Sequence, residues 1–327
     1  VARVQKSNID VARKKISNSN LIGNIKILDK LVNQFSYSSN FHHAHIIFGN
    51  KGIGKATMVR NFIKRIVNNE DHYDLSVHPD IFILESNNDI ISIDNIRDLI
   101  CFVSLKSSSI QYKFILIDSI DDFNTASSNA ILKILEEPTK NTYFFIINHN
   151  PSLVSETIQS RCIKIHIPNI NISDFEQIMN ALNPSTNQEV IKQLGIWTNY
   201  NPGMSSELIQ NNGLNLYDKI LDTMIKNQAN IANIINFKEY EGNYIKFIIT
   251  SIHRFLHLSL MTLLSLPRAT ILHEEKYIND YISSRFVTIE DITKKFSTCS
   301  KIASNWMNGR LSNEQAMIVI LNELRCF

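Results

Sequence analysis

Gly49-Asn50-Lys51-Gly52-Ile53-Gly54-Lys55 carries the clearest chemistry in the chain. Its glycines permit a tight loop whose backbone N–H groups can face phosphate. A helix starting there adds a favourable dipole, and Lys55 would reach the terminal phosphates. The position after Lys55 is Ala56, where a working loop has Ser or Thr to hold magnesium. Thr57 leaves the helix about 100° further round and does not simply substitute. A second acidic site closes the apolar run Phe114–Ile117 with Asp118, a candidate ligand for a magnesium-bound water or a plain turn cap. The next residue is Ser119, and a serine hydroxyl is no general base near pH 7. Glu136 and Glu137 lie a helix away beside Pro138. Both the metal ligand and the water base are therefore expected to be missing. Ser160-Arg161-Cys162 offers either an arginine that reaches a neighbouring subunit's γ-phosphate or a surface arginine paired to a carboxylate.

These groups need a scaffold, and the patterning supplies one. The segment from Phe41 ends as a buried strand at Phe48, directly before the loop, and Ala56–Val67 follows as an amphipathic helix. Further strands are expected at Asp80–Leu84, Phe114–Ile117, Tyr143–Ile147 and Cys162–Ile167. Helices are expected at 22–35, Ser92–Ser104 and Ser127–Glu136, the last stopping before Pro138. A turn and helix are expected over Ser152–Ser160. Apolar strands alternating with helices imply an α/β fold, a mostly parallel sheet covered on both faces. Beyond Pro168 no strand is convincing. Short helices are expected at Phe175–Leu182, Gln188–Leu194 and Ser205–Gln210, with a turn at Tyr200–Gly203. From Leu214 onward the pattern is helical, roughly 215–227, 229–239, 243–265, 273–283, 289–308 and 312–325.

Bulk properties narrow the class without choosing a partner. With 327 residues, 44% hydrophobic and 20% charged, the chain suits a folded protein of two or three domains. A net charge of +2 is too small for a nucleic-acid footprint. Cys101, Cys162, Cys299 and Cys326 form no CxxC pair, so an ordinary reduced intracellular protein is expected. The basic first twenty residues lack the apolar segment of a signal peptide and read as a loose arm. The most apolar stretch, Ile245–Leu266, contains Lys246, His253, Arg254 and His257, which would be expensive in lipid. It reads as a buried or amphipathic helix rather than a membrane span.

The motifs together resemble the delta-prime family of bacterial DNA polymerase III clamp-loader subunits. The likeness rests on His42-His43-Ala44-His45 running into Gly49–Lys55, on Phe114–Ser119, on Asn129-Ala130-Ile131-Leu132-Lys133-Ile134-Leu135-Glu136-Glu137-Pro138, and on Thr157 through Ser160-Arg161-Cys162. It is strong over about 40–168 and weaker beyond. The resemblance implies an AAA+ P-loop core at 21–168 behind the arm at 1–20, a helical lid at 169–213 and an all-α collar at 214–327 that joins subunits into a ring. It implies motor gamma/tau and delta subunits, a sliding clamp and primed DNA as partners, and a cytoplasmic, replisome-associated setting.

In such a ring Arg161 would act in trans on a motor subunit's ATP. Gly49, Gly52, Gly54, Lys55 and Asp118 would form a nucleotide site, either one that holds ATP and magnesium weakly or a vestigial one. Asn148 would stand where active relatives sense the γ-phosphate, or serve only as a turn former. Two departures accompany Ala56 and Ser119. Residues 66–80 contain no cysteine, so the zinc module common in relatives is expected to be absent. Met204, after Pro202-Gly203, stands where the lid helix of motor subunits carries a phosphate-sensing arginine. The expected function is that of a non-motor subunit. The competing expectations are an independent AAA+ ATPase of replication or repair, and a motor subunit of the same loader.

Overall fold

The computed structural model describes residues 22–38, 40–67, 74–85, 91, 93–226, 242–267, 275, 278–285, 287–307, 309–313, 315–316 and 318–320. The chain forms two compact units, residues 1–187 with 200–204, and residues 188–199 with 205–327. The division falls inside the segment 169–213 expected as a lid.

In the first unit the elements run α1 (Ile25–Tyr37), β1 (Ala44–Phe48), α2 (Lys55–Ile66), β2 (Ile81–Glu85), α3 (Ile93–Ser104), β3 (Lys113–Asp118), α4 (Thr125–Glu136), β4 (Thr142–Asn148), α5 (Glu156–Gln159), β5 (Ile163–His166) and α6 (Ile172–Leu182). The five strands form one parallel sheet in the order β2-β3-β4-β1-β5. Register sets Phe48 beside Asn148 and Glu85 beside Asp118, so these strands end on a common edge.

Successive strand residues face opposite sides, and here both sides are dry. Ala44, Ile46, Ile115, Ile117, Phe144 and Ile146 pack with Ile96, Leu99, Ile131 and Leu135 of α3 and α4. On the other face Phe114 and Phe145 meet Phe62 of α2, with ring centroids 6.2 and 5.0 Å apart. Phe35 of α1 sits edge-on to Phe41, Phe62, Tyr112 and Tyr143.

Two boundaries differ from expectation for identifiable reasons. The strand expected at Asp80–Leu84 runs Ile81–Glu85, because the Asp80 carboxylate is turned to accept N–H bonds from Ser108, Ser109 and Ile110 at 2.7, 2.6 and 2.9 Å. The helix expected from Ser127 begins at Thr125. Asn124 is its N-cap, and its Oδ1 accepts the Ser127 N–H at 2.8 Å.

The second unit holds α7 (Gln188–Thr198), most of α8 (Pro202–Gln210), α9 (Gly213–Lys226), α10 (Gly242–Leu263), α11 (Ile278–Arg285) and α12 (Ile289–Met307). Ile248, Ile249, Ile252, Phe255, Leu256 and Leu258 of α10 are buried by this chain itself, while Leu264 and Leu266 remain exposed. The fully buried Glu275 accepts hydrogen bonds from Tyr217 Oη at 2.9 Å and Arg254 Nε at 2.7 Å. The helix expected at 229–239 lies outside the described residues, as do parts of 273–283 and 312–325. No helix among the described residues is long and apolar enough to cross a membrane.

His45 of β1 is nearly buried, stacked on Phe41 and Phe145. Desolvation, then the neighbouring His42 and His43, push its pKa down to about 4. Below pH 6.5 the unfolded histidine takes a proton that the folded one refuses until about pH 4. Stability therefore falls as pH drops through this window, with His149, also near 4, adding in the same direction. Urea midpoints measured from pH 7 to 4 are expected to show this fall, and His45→Phe to flatten part of it.

Candidate nucleotide site

The order β3-β4-β1 places the ends of three neighbouring strands side by side. β1 runs into Gly49–Lys55, β3 ends at Asp118 and β4 ends at Asn148. This is the carboxyl edge at which open parallel sheets bind ligands. Gly49, Gly52, Gly54, Lys55, Asp118 and Asn148 are thus gathered on one edge, as the sequence led us to expect.

The loop glycines are needed for distinct reasons. Gly49 has φ 149°, and a Cβ there would lie 2.7 Å from the Ile167 carbonyl oxygen. Gly52 has φ 90°, and a Cβ would lie 2.3 Å from Asn201 Oδ1. Gly54 has φ 89° with open space around it, and caps α2. Lys55 is buried. Its ammonium donates to the carbonyls of Gly49 at 2.6 Å and Asn50 at 2.7 Å. Desolvation pushes its pKa down to about 8, against the opposing pull of Asp118 and Asp121.

Beyond the loop the edge is rich in carboxylates. Asp118 has its pKa raised by desolvation and then by Glu85, its register partner on β2, while Arg60 of α2 opposes the shift. Arg60 is itself ion-paired to Glu85. Ser119 is buried, and its hydroxyl donates to Asp121 at 3.1 Å. Asp121 gathers the end of β4. It accepts from Asn148 Nδ2 at 2.9 Å, His149 N at 2.7 Å and Asn150 N at 2.9 Å. Asn148 also donates to the Asn150 carbonyl at 3.0 Å. The His149 ring feels Lys55, and its pKa is pushed down to about 4, first by desolvation. Sequence reasoning passed over Asp121, His149, Arg60 and Glu85. Only the acidic pair Asp118-x-x-Asp121 left a trace of them.

Phosphate suits this edge. Loop N–H groups, the start of α2 and Lys55 would hold a nucleotide's phosphates. Magnesium does not suit it. Ala56 has no side-chain oxygen to offer, and Ser119 is turned onto Asp121.

Arg161 stands elsewhere. β5 runs parallel to β1 with His45 opposite Ile163, so Arg161 precedes the strand pair at the edge opposite the loop. The five residues from 161 to 166 span roughly 16 Å at 3.3 Å per residue, out of reach of the loop on the same chain. Nη1 donates to the Thr157 carbonyl at 2.8 Å, and Nη2 to Glu136 Oε1 at 2.5 Å. The guanidinium-bearing side chain stays about one-third exposed, at 34%. Arg161 is thus paired to a carboxylate while part of its side chain stays at the surface.

Residues 23–171 match the family model described as DNA polymerase III, delta subunit. Over this stretch, a little under half of the chain, the sequence is similar to that family.

Among curated relatives, the DNA polymerase III subunit delta' of Pseudomonas aeruginosa is 30% identical over 141 residues, 38% of this chain and 43% of that protein. The DNA polymerase III subunit tau of Escherichia coli is 26% identical over 186 residues, 53% of this chain and 28% of that protein. The chain thus spans less than half the length of these two relatives. A solved DNA polymerase III gamma subunit-related protein from Thermotoga maritima aligns at 14% identity and TM-score 0.45, over 91% of this chain and 98% of that one.

Residues 66–80, expected to lack a zinc module, fall partly outside the described residues, at 68–73. Two substitutions gauge the site. Asp121→Ala removes the acceptor for one buried amide and two backbone N–H groups, and is expected to cost about 2–4 kcal/mol in urea unfolding. Arg161→Ala breaks a partly exposed pair and an exposed bond to the Thr157 carbonyl, and is expected to cost no more than about 1 kcal/mol.

Proposed function

We propose that the chain serves as a non-motor, delta-prime-like subunit of a DNA polymerase III clamp loader. In this role it assists ATP-driven placement of the sliding clamp on primed DNA and donates Arg161 in trans. The observation that carries the reading is a loop that can cradle phosphate beside Ala56 and Ser119, which supply neither a magnesium oxygen nor a base. A subunit built this way binds nucleotide weakly and hydrolyses little by itself. Its useful charge is Arg161, and the placement of Arg161 at the far edge from its own loop supports action on a neighbour's nucleotide. There the guanidinium would offset charge developing on the γ-phosphate. Its partners would be motor gamma/tau subunits and a delta subunit, in the cytoplasm at the replisome.

The longer match to tau, over 53% of this chain, favours a second reading, a motor subunit of the same loader. Met204, Ala56 and Ser119 argue against it.

Reconstitution with the remaining loader subunits separates the two. The isolated protein is expected to show negligible ATP turnover. Arg161→Ala is expected to preserve assembly by size-exclusion chromatography yet lower the ATPase of the assembly at least tenfold. Brisk turnover by the isolated protein would favour the motor reading, and an unchanged assembly ATPase would remove Arg161 from this role.

A further inference from the structure

The phosphate loop is gripped from a distant point of the chain. The turn at 200–204 belongs to the first unit and lies against Lys51 and Gly52. Asn201 Nδ2 donates to the Lys51 carbonyl at 2.6 Å, and the Gly203 N–H donates to the Gly52 carbonyl at 3.0 Å. The other end of the Asn201 carboxamide, Oδ1, accepts the Met204 N–H at 3.0 Å. That last bond makes Asn201 the N-cap of α8, with Pro202 in the first helical position.

One side chain therefore both starts a helix and ties that helix to the loop. The approach is close on both sides. A Cβ on Gly203 would lie 2.6 Å from Gly52 Cα, and a Cβ on Gly52 would lie 2.3 Å from Asn201 Oδ1. Gly52 Cα is backbone and cannot yield to Gly203 as a flexible side chain could. The bonds use carbonyls of the loop and leave the N–H groups of Lys51 and Gly52 out of the grip.

We propose that Asn201 is a positioning residue for the phosphate loop, holding Lys51 and Gly52 in the shape that directs their N–H groups toward an anion. Its grip is neutral, so it does not depend on a charged sensor at position 204, where this chain has methionine. The inference concerns the isolated protein and stands apart from its role in any assembly.

The two ends of the carboxamide can be separated by mutation. Asn201→Asp keeps the oxygen that caps α8 and loses the donor to Lys51. Asn201→Ala loses both. Asn211→Ala, whose amide bonds only the Glu207 carbonyl at 2.9 Å, serves as control. Amide hydrogen exchange over residues 49–57 and 202–208 is read for each full-length variant. Loss of one hydrogen bond should speed loop exchange roughly threefold to tenfold.

The expected result is faster exchange at 49–57 in both Asn201 variants, faster exchange at 202–208 only in Asn201→Ala, and wild-type exchange in the control. Asn201→Asp with a wild-type loop would reduce Asn201 to a helix cap and overturn the proposal. So would unchanged loop exchange in both variants. Gly203→Ala gives an independent check: its Cβ must displace Gly52, so it too should loosen 49–57, and a wild-type loop in this variant would count against the grip.

Discussion

The in-register parallel pairing of β3, β4 and β1 is the constraint from which the candidate site follows. Backbone hydrogen bonds between these strands hold Asp118, Asn148 and the loop after Phe48 on one edge. A slip of one residue would turn every side chain to the other face, exchanging Phe145 with Phe144 and breaking both cores at once. Because both faces are packed, the register is specified twice. The edge can therefore carry groups that are poor for stability, such as a desolvated Lys55 and the neighbouring carboxylates Asp118 and Glu85.

Several polar groups on that edge are held by neighbours within it. Lys55 spends its hydrogen bonds on the carbonyls of Gly49 and Asn50. Asp121 takes up three donors from 148–150 and the Ser119 hydroxyl. Arg60 is tied to Glu85. This is the pattern of a site whose polar groups are held by one another. Arg161, on the opposite edge, is also oriented by a carboxylate but keeps about a third of its side chain open to solvent. The two edges of one sheet thus differ: the loop edge holds its charged groups largely among themselves but leaves Asn148 Oδ1 and His149 Nδ1 buried without a hydrogen-bond partner among the described residues, whereas Arg161 faces outward.

Much of the fold was legible from local pattern. The alternation of short apolar runs with amphipathic stretches located the strands to within a few residues, because the central strands are buried and apolar, although β5 is mostly exposed. The misjudged ends, Asp80 and Thr125, were decided by side chains that bond to backbone: Asp80 to a loop near 109, and Asn124 to the first turn of α4. Propensity does not foresee a carboxylate turned toward a distant loop.

What the amino-acid order determined alone was chemical capacity. Gly49, Gly52, Gly54 and Lys55 have the types and spacing of a phosphate loop, while Ala56 itself has no side-chain oxygen and Ser119 no general base. Only the tertiary structure decided who touches whom. It placed Asp121 under Asn148, set Glu136 rather than Glu137 against Arg161, and brought Asn201 to Lys51 across 150 residues of chain. The physical reason is that a side chain's type limits the bonds it can make, whereas its partner depends on where the packed sheet and helices carry the backbone.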